Sequence, residues 1–129
     1  MNITVTMQQV LDFKEIVNDF REKKLPLPCA YKLIKISNAL DKDIEFYQSQ
    51  FQEIIEKFAK KNDDGSYAYS DDGSQIMIQD DKIEECNDEL EKLMGLEIQV
   101  DNLDFSIDNF GADIECTPDE LEKLTPFLN

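Results

Sequence analysis

The sequence predicts an α+β fold: a long antiparallel helical hairpin with a β-hairpin at its tip, a small antiparallel sheet and a short terminal helix. Three observations predict it. Nine residues from Ala30 to Phe58 recur at alternating spacings of 3 and 4, as in a helix that packs against another helix. A second such run, from Ile83 to Leu93, follows an Asp-Gly turn. Short alternations of apolar and polar residues near both ends predict the sheet.

Caps and prolines set the bounds of the first two helices. Thr6 and Gln9 have the spacing of a capping box, which begins a first helix directly after a short strand at about residues 2–6. Pro26 and Pro28 separate this helix from the next, because proline restricts the preceding residue to extended geometry and suits a first helical turn. The second helix is predicted to run from Pro28 to Lys61, a length of about 50 Å at 1.5 Å per residue.

The chain is then predicted to turn back on itself. Gly65 is expected to end the long helix, and a β-hairpin at about 66–79 turns at Asp71–Gly73. A third helix begins near Asp80 or Asp81 and ends at Gly95, with acidic residues in its first turn. Together these elements form a helical hairpin over about residues 28–94.

The remainder of the chain completes the single domain predicted for residues 1–129. Two alternating runs within 96–108 predict two strands joined by a tight turn at Asp101-Asn102. A capping box with proline at its first helical position begins a last helical turn at Thr117.

Charge is distributed unevenly along the chain. Of its 129 residues, 29 are acidic and 13 are basic, for a net charge of -16. Residues 1–61 carry ten basic and nine acidic side chains, whereas residues 62–129 carry three and twenty. An acidic half repels phosphate backbones, so we predict no direct binding to nucleic acid. It suits a protein partner with a basic surface, or simply keeps a small protein soluble.

Composition argues against an enzyme. The absence of histidine excludes Ser-His-Asp and Cys-His catalysis and the commonest zinc ligand. The chain has three cysteines, Cys29, Cys86 and Cys116, and they form no C-x-x-C motif. Because an odd number cannot all pair within one chain, we expect free structural thiols in a reducing cytosol. The Asp-Asp-Gly-Ser repeats at 63–66 and 71–74 do not fit calcium-loop spacing and are typical of turns. We therefore predict no catalytic residues, no metal and no cofactor.

A basic cluster provides the one candidate ligand site. It flanks the predicted start of the long helix, where free N–H groups and the helix dipole favour an anion. With Arg21 nearby, the candidate ligand-binding residues are Lys23, Lys24, Tyr31, Lys32 and Lys35. Tyrosine among lysines suits a phosphate-bearing molecule with an aromatic base. The alternative is a solvated basic patch that pairs with the acidic half of the same or a neighbouring subunit.

The order of several motifs resembles a small protein family carried by phages and prophages of Gram-positive bacteria, which is a domain of unknown function. The resemblance covers about residues 20–128 and begins with Glu22-Lys-Lys-Leu-Pro-Leu-Pro-Cys-Ala-Tyr-Lys-Leu-Ile-Lys-Ile36. The later matching motifs are Asp71-Asp-Gly73, Glu89-Leu90, Leu96-Glu-Ile98 and Thr117-Pro-Asp-Glu-Leu121. The resemblance implies a phage protein that works in the cytoplasm of an infected bacterium. It supplies no active site.

Together these observations lead us to expect a non-enzymatic phage protein that inhibits a host factor, in antiviral defence or nucleic-acid handling, through its acidic surface. Two alternatives stay open: sequestration of a phosphate-bearing nucleotide signal at the basic cluster, and a role in virion or tail assembly. The expected partner is a host protein with a basic surface or a small anionic nucleotide. The sequence has no run of 18 apolar residues and no signal-peptide pattern, so no membrane partner is expected. A homo-oligomer stays open.

Overall fold

The computed structural model describes residues 3–101, 104–111 and 114–128. Within these ranges the chain forms five α-helices and one two-stranded antiparallel sheet, which confirms a mixed α+β fold that is mostly helical. The strands are β1 (Ile3–Thr6) and β2 (Glu97–Val100). The helices are α1 (Met7–Phe20), α2 (Leu27–Ala39), α3 (Asp41–Phe58), α4 (Ile83–Met94) and α5 (Pro118–Leu124). Two 3-10 helices span Ile107–Phe110 and Thr125–Phe127.

The chain divides into two compact units. Unit 1 comprises Met1–Glu45 and Gly95–Asn129, and unit 2 comprises Phe46–Met94. The division therefore crosses the chain once inside α3 and once directly after α4. The single domain expected from the sequence stays a prediction.

Unit 1 is built around α1 and the two-stranded sheet. Strand β1 pairs with β2 so that Val5 lies opposite Ile98, and both side chains are buried. The predicted capping box joins β1 to α1: the Gln9 amide donates to Thr6 Oγ1 at 3.2 Å, and the Thr6 amide donates to Gln9 Oε1 at 2.9 Å. The predicted apolar face of α1 is buried and consists of Val10, Phe13, Ile16, Val17 and Phe20.

The prediction of a second strand within 96–108 is wrong for the described residues 104–107, which form no strand. Ser106 instead begins a 3-10 helix, with its amide donating to Asn109 Oδ1 at 2.8 Å. Phe105 is fully buried, whereas Ile107 is 56% exposed. The apolar alternation that suggested a strand thus arises in a loop and a helical turn. Asn102 and Leu103 lie outside the described residues.

The predicted continuous helix from Pro28 to Lys61 is also wrong, because it is interrupted at Leu40. The Leu40 amide donates to the carbonyls of Ile36 and Ser37, at 3.2 and 3.1 Å, and α3 begins at the next residue. Lys14 of α1 contacts this junction: its Nζ donates to the Ser37 carbonyl at 2.7 Å, to Ser37 Oγ at 2.9 Å and to Asp41 Oδ1 at 2.5 Å. The ammonium group competes for the carbonyl that a continuous helix would offer to the amide four residues later.

In unit 2, α3 ends at Phe58, before the predicted Lys61. The next segment leaves the helix because three backbone hydrogen bonds hold it in a closed ring. The Lys60 amide donates to Met77 O at 2.8 Å, the Met77 amide to Ala68 O at 2.8 Å, and the Ala68 amide to Lys60 O at 2.9 Å. The predicted β-hairpin is therefore present as isolated antiparallel bridges, including Tyr69↔Ile76, rather than as two strands.

The third predicted helix is present as α4, with its start corrected by two to three residues. It begins at Ile83 instead of Asp80 or Asp81, and it ends at Met94, directly before Gly95. Cys86 and Leu93 are buried as the apolar spacing predicts. Ile83, by contrast, is 48% exposed.

Candidate functional site

A cleft of about 610 Å³ lies in unit 1 where α1, the following loop and α2 meet. Its walls are mixed in chemistry: α1 and α2 contribute mostly apolar side chains, and the loop contributes basic ones. The lining residues from α1 and the loop are Val17, Phe20, Arg21, Lys23, Lys24 and Leu25. Those from α2 are Ala30, Leu33, Ile34, Ser37 and Asn38.

The structure brings together only part of the predicted ligand site. Lys23 and Lys24 line the cleft, whereas Tyr31, Lys32 and Lys35 do not. Tyr31 and Lys35 are exposed on α2. Lys32 Nζ lies 3.8 Å from Asp104 Oδ2, so part of its charge is balanced. The assignment of these five residues to a ligand stays a prediction.

Lys23 is held in place by the protein itself. Its Nζ donates to the Glu115 carbonyl at 2.6 Å and lies 4.7 Å from the centre of the Phe20 ring. A cation over an aromatic face is attracted by the ring quadrupole. Lys23 therefore has a structural role at the edge of the cleft, which leaves Arg21 and Lys24 as its more exposed cations.

Sequence reasoning missed the apolar character of this cleft. Leu27, Tyr31 and Ile34 are spaced by 4 and 3, so they share one face of α2. This stripe was the available signal. It lies beside Ala30 and Leu33, which are the α2 positions that belong to the heptad spacing.

A separate acidic face lies on α4 in unit 2. The exposed carboxylates of Glu84, Glu85, Asp88 and Glu91 fall within about 120° of one another around the helix, at 100° per residue. Lys82 Nζ lies 3.5 Å from Glu85 Oε1 as a local counter-charge. The opposite face of α4 carries the buried Cys86 and Leu93. The helix therefore presents its negative charge on the side that faces solvent. We refer to these four carboxylates as the acidic face.

The second aspartate of each Asp-Asp-Gly-Ser repeat closes its own turn. Asp64 Oδ1 accepts hydrogen bonds from Ser66 Oγ at 2.6 Å and from the Ser66 amide at 3.0 Å. Asp72 Oδ1 accepts from Ser70 Oγ at 2.6 Å, Ser74 Oγ at 2.7 Å and the Ser74 amide at 3.1 Å. These bonds lower the pKa of both carboxyl groups, and that of Asp72 falls to about 2.

The Asp72 turn gives a testable pH dependence. Because the pKa is lowered by folding, the stability that Asp72 contributes is present above its ordinary pKa of 3.8 and is lost as the pH falls through about 2. An NMR titration of the Asp72 carboxyl carbon should therefore have its midpoint near pH 2. Ser70→Ala should raise that midpoint, whereas Ser66→Ala, which alters only the other turn, should not. A midpoint unchanged by Ser70→Ala would contradict the assignment.

Two of the three cysteine thiols, those of Cys29 and Cys86, have the burial expected of structural residues. Cys29 and Cys86 are buried, and burial raises the pKa of both thiols. Cys116 is free and exposed. In the described parts of the chain, no three acidic or cysteine side chains are grouped so as to hold a metal ion.

Comparison with known proteins finds no matching family model, no matching curated protein and no matching solved structure. Among the described residues, no helix combines the length and apolar character that a membrane crossing needs.

Proposed function

We propose that this chain is a non-enzymatic phage protein that inhibits a host factor by covering a basic surface of that factor. The observation that carries the proposal is the acidic face of α4, with Glu84, Glu85, Asp88 and Glu91 exposed on one side of one helix. Resemblance to the phage and prophage family supports the setting, the cytoplasm of an infected bacterium. The target belongs to antiviral defence or nucleic-acid handling, since enzymes that hold nucleic acid have basic surfaces.

The proposal includes the helical hairpin expected from the sequence, with α3 and α4 running antiparallel in unit 2. Lys57 of α3 supports it, because its Nζ lies 3.1 Å from Glu89 Oε1 of α4. The backbone ring that connects the two helices also supports it. A helix fixed in this way presents its carboxylates with little loss of conformational freedom on binding, which favours association.

Charge complementarity gives the interaction a recognisable signature. Complementary potentials accelerate association, and salt screens them. Raising the ionic strength from about 0.1 M to about 1 M shortens the Debye length from about 10 Å to about 3 Å. A complex made through the acidic face should therefore form more slowly as salt is added.

The test is capture of a host protein from bacterial lysate, followed by identification and measurement of its binding and activity with purified components. We expect Glu84→Gln, Asp88→Asn and Glu91→Gln together to slow association by on the order of tenfold and to relieve inhibition of the target. The matched control removes three exposed carboxylates from unit 1, with Asp19→Asn, Glu22→Gln and Glu97→Gln.

Equal slowing by both triple variants would show that net charge rather than the acidic face acts. Absence of any captured host component at low salt, together with stoichiometric presence of the protein in purified particles, would overturn the proposal in favour of virion or tail assembly.

A second candidate function is sequestration of a phosphate-bearing nucleotide. The observation that favours it is the position of Arg21, Lys23 and Lys24 on the wall of one cleft. It is the weaker candidate, because Lys32 is paired with Asp104 and Lys23 with a backbone carbonyl.

A further inference from the structure

We infer that the cleft between α1 and α2 is a docking groove for an acidic amphipathic helix of a partner protein. This would be a second interaction surface, opposite in charge to the acidic face of α4 and independent of it. The inference rests on three features of unit 1: an exposed apolar stripe, a concave apolar floor and a basic rim.

The stripe consists of Leu27, Tyr31 and Ile34, whose side chains are 81%, 63% and 55% exposed. Their spacing places them within about 60° of one another around α2 at 100° per residue. Contiguous exposed apolar side chains of this kind mark interaction sites on soluble proteins. Ile34 belongs to both the stripe and the wall of the cleft, so the two form one surface.

The floor of the cleft is apolar and concave. Val17, Phe20 and Leu33 are buried beneath it, and Leu25 and Ala30 are half-buried at its sides. A groove between two helices accepts the apolar side chains of a third helix. A flat lipid surface would contact the exposed stripe but would leave the cleft unfilled. The shape therefore favours a helical peptide over a membrane.

The rim fixes the charge of the occupant. Residues 23–40 contain four lysines and no acidic residue, in a chain that has 29 acidic residues. Arg21 and Lys24 line the cleft and are exposed, and no carboxylate in the described ranges lies within 4.0 Å of the charged nitrogens of either side chain. Unpaired cations around an apolar groove favour a partner with acidic residues beside its apolar anchors.

The occupant is a different protein rather than a second copy. Two copies that each carry a net charge of -16 repel each other, which disfavours self-association. In a second copy, the apolar residues Cys86 and Leu93 of α4 are also already buried. Leu27 to Ile34 spans about 10 Å at 1.5 Å per residue, so anchors at i, i+4 and i+7 of a partner helix match its length.

The experiment measures fluorescence anisotropy of a labelled synthetic helical peptide, with leucine at i, i+4, i+7 and i+11 and glutamate at most other positions, against the full chain. The matched probe has lysine in place of every glutamate. We expect the acidic probe to bind and the basic probe to bind at least about tenfold more weakly. Ile34→Glu should weaken binding of the acidic probe by about tenfold or more, and Ile34→Ala by several-fold.

Phe51→Glu, at a 38% exposed position of α3 outside the cleft, is the control and should leave binding unchanged. Circular dichroism shows whether each variant is folded, and Ile34→Ala keeps the test decisive if Ile34→Glu unfolds. Equal binding of both probes, or binding that neither Ile34 variant weakens, would overturn the inference.

Three other outcomes would also overturn it, each by identifying a different occupant. Binding to phosphatidylglycerol vesicles without binding of the acidic probe would make the stripe a membrane contact. Binding of adenine nucleotides alone would make the cleft a nucleotide site. Self-association that Ile34→Ala abolishes, in the absence of probe binding, would assign the groove to a second copy.

Discussion

Replacement of Phe13 by alanine is expected to lower the free energy of unfolding by about 3–5 kcal/mol. The Phe13 side chain is completely buried in α1, and its ring centre lies 4.3 Å from that of Phe127. Truncation removes apolar surface from the core and leaves a cavity that the surrounding helices fill only in part. Urea denaturation followed by circular dichroism measures the change as a shift in the transition midpoint.

Phe46→Ala is the matched control, since Phe46 is also on a helix but is 49% exposed. Its expected cost is at most about 1 kcal/mol, because little apolar surface is lost and alanine favours the helix. Equal losses for the two variants would show that α1 does not form the centre of a packed core. A loss of about 3–5 kcal/mol is a large share of the 5–15 kcal/mol that stabilises most domains.

The second large effect is expected at the junction between α2 and α3. Lys14→Met should lower the free energy of unfolding by about 1–3 kcal/mol, because it leaves the Ser37 carbonyl and hydroxyl without their ammonium donor. Ser37 is buried, with 7% of its surface exposed, so water replaces that donor poorly. Methionine keeps most of the aliphatic length of lysine, so the change reports mainly on the polar contacts.

Lys42→Met serves as the control for Lys14→Met. Lys42 is an exposed lysine of α3, and its replacement should change the free energy of unfolding by no more than about 0.5 kcal/mol. The same urea titration measures both variants. If Lys14→Met proves as mild as Lys42→Met, the contacts of Lys14 do not hold the junction together.

The elements that sequence reasoning predicted correctly are those specified by residues close together in the chain. Thr6 and Gln9 bond to each other across three positions, and Thr117 and Glu120 do the same at the start of α5. The apolar spacing of α1 likewise depends only on the period of one helix. In these cases the interactions that form the element are made by residues within a few positions of one another, so the sequence pattern is sufficient to predict it.

The errors arose where a distant residue or an ambiguous pattern decided the structure. The heptad spacing continues through Leu40, but the helix is interrupted there, where Lys14, which lies 27 positions before Asp41, contacts Ser37 and Asp41. At Phe105 and Ile107, the alternation of apolar and polar residues predicts a strand, although Ser106 and Asn109 have the spacing of a capping box.

The basic cluster is predicted from residues that are close together in the sequence. In the folded chain, only some of these residues line the cleft. Lys23 and Lys24 reach the cleft because the loop after α1 passes its mouth, whereas Lys35 is on another side of α2. The apolar floor depends on how α1 packs against α2, which the order of residues does not specify. This is why the ligand chemistry inferred from charge alone differs from that inferred from the cleft.

The hydrogen bonds in the turns closed by Asp64 and Asp72 determine how the charge of these turns depends on pH. Their hydrogen bonds favour the ionised carboxylates, and the chain has no histidine, the side chain whose ordinary pKa lies between pH 5 and 8. Mild acidification of the surroundings therefore leaves these two negative charges unchanged. Added salt still screens the electrostatic interactions that the two charges make. The charge of these two turns is therefore sensitive to the ionic content of the surroundings and not to small changes in their acidity.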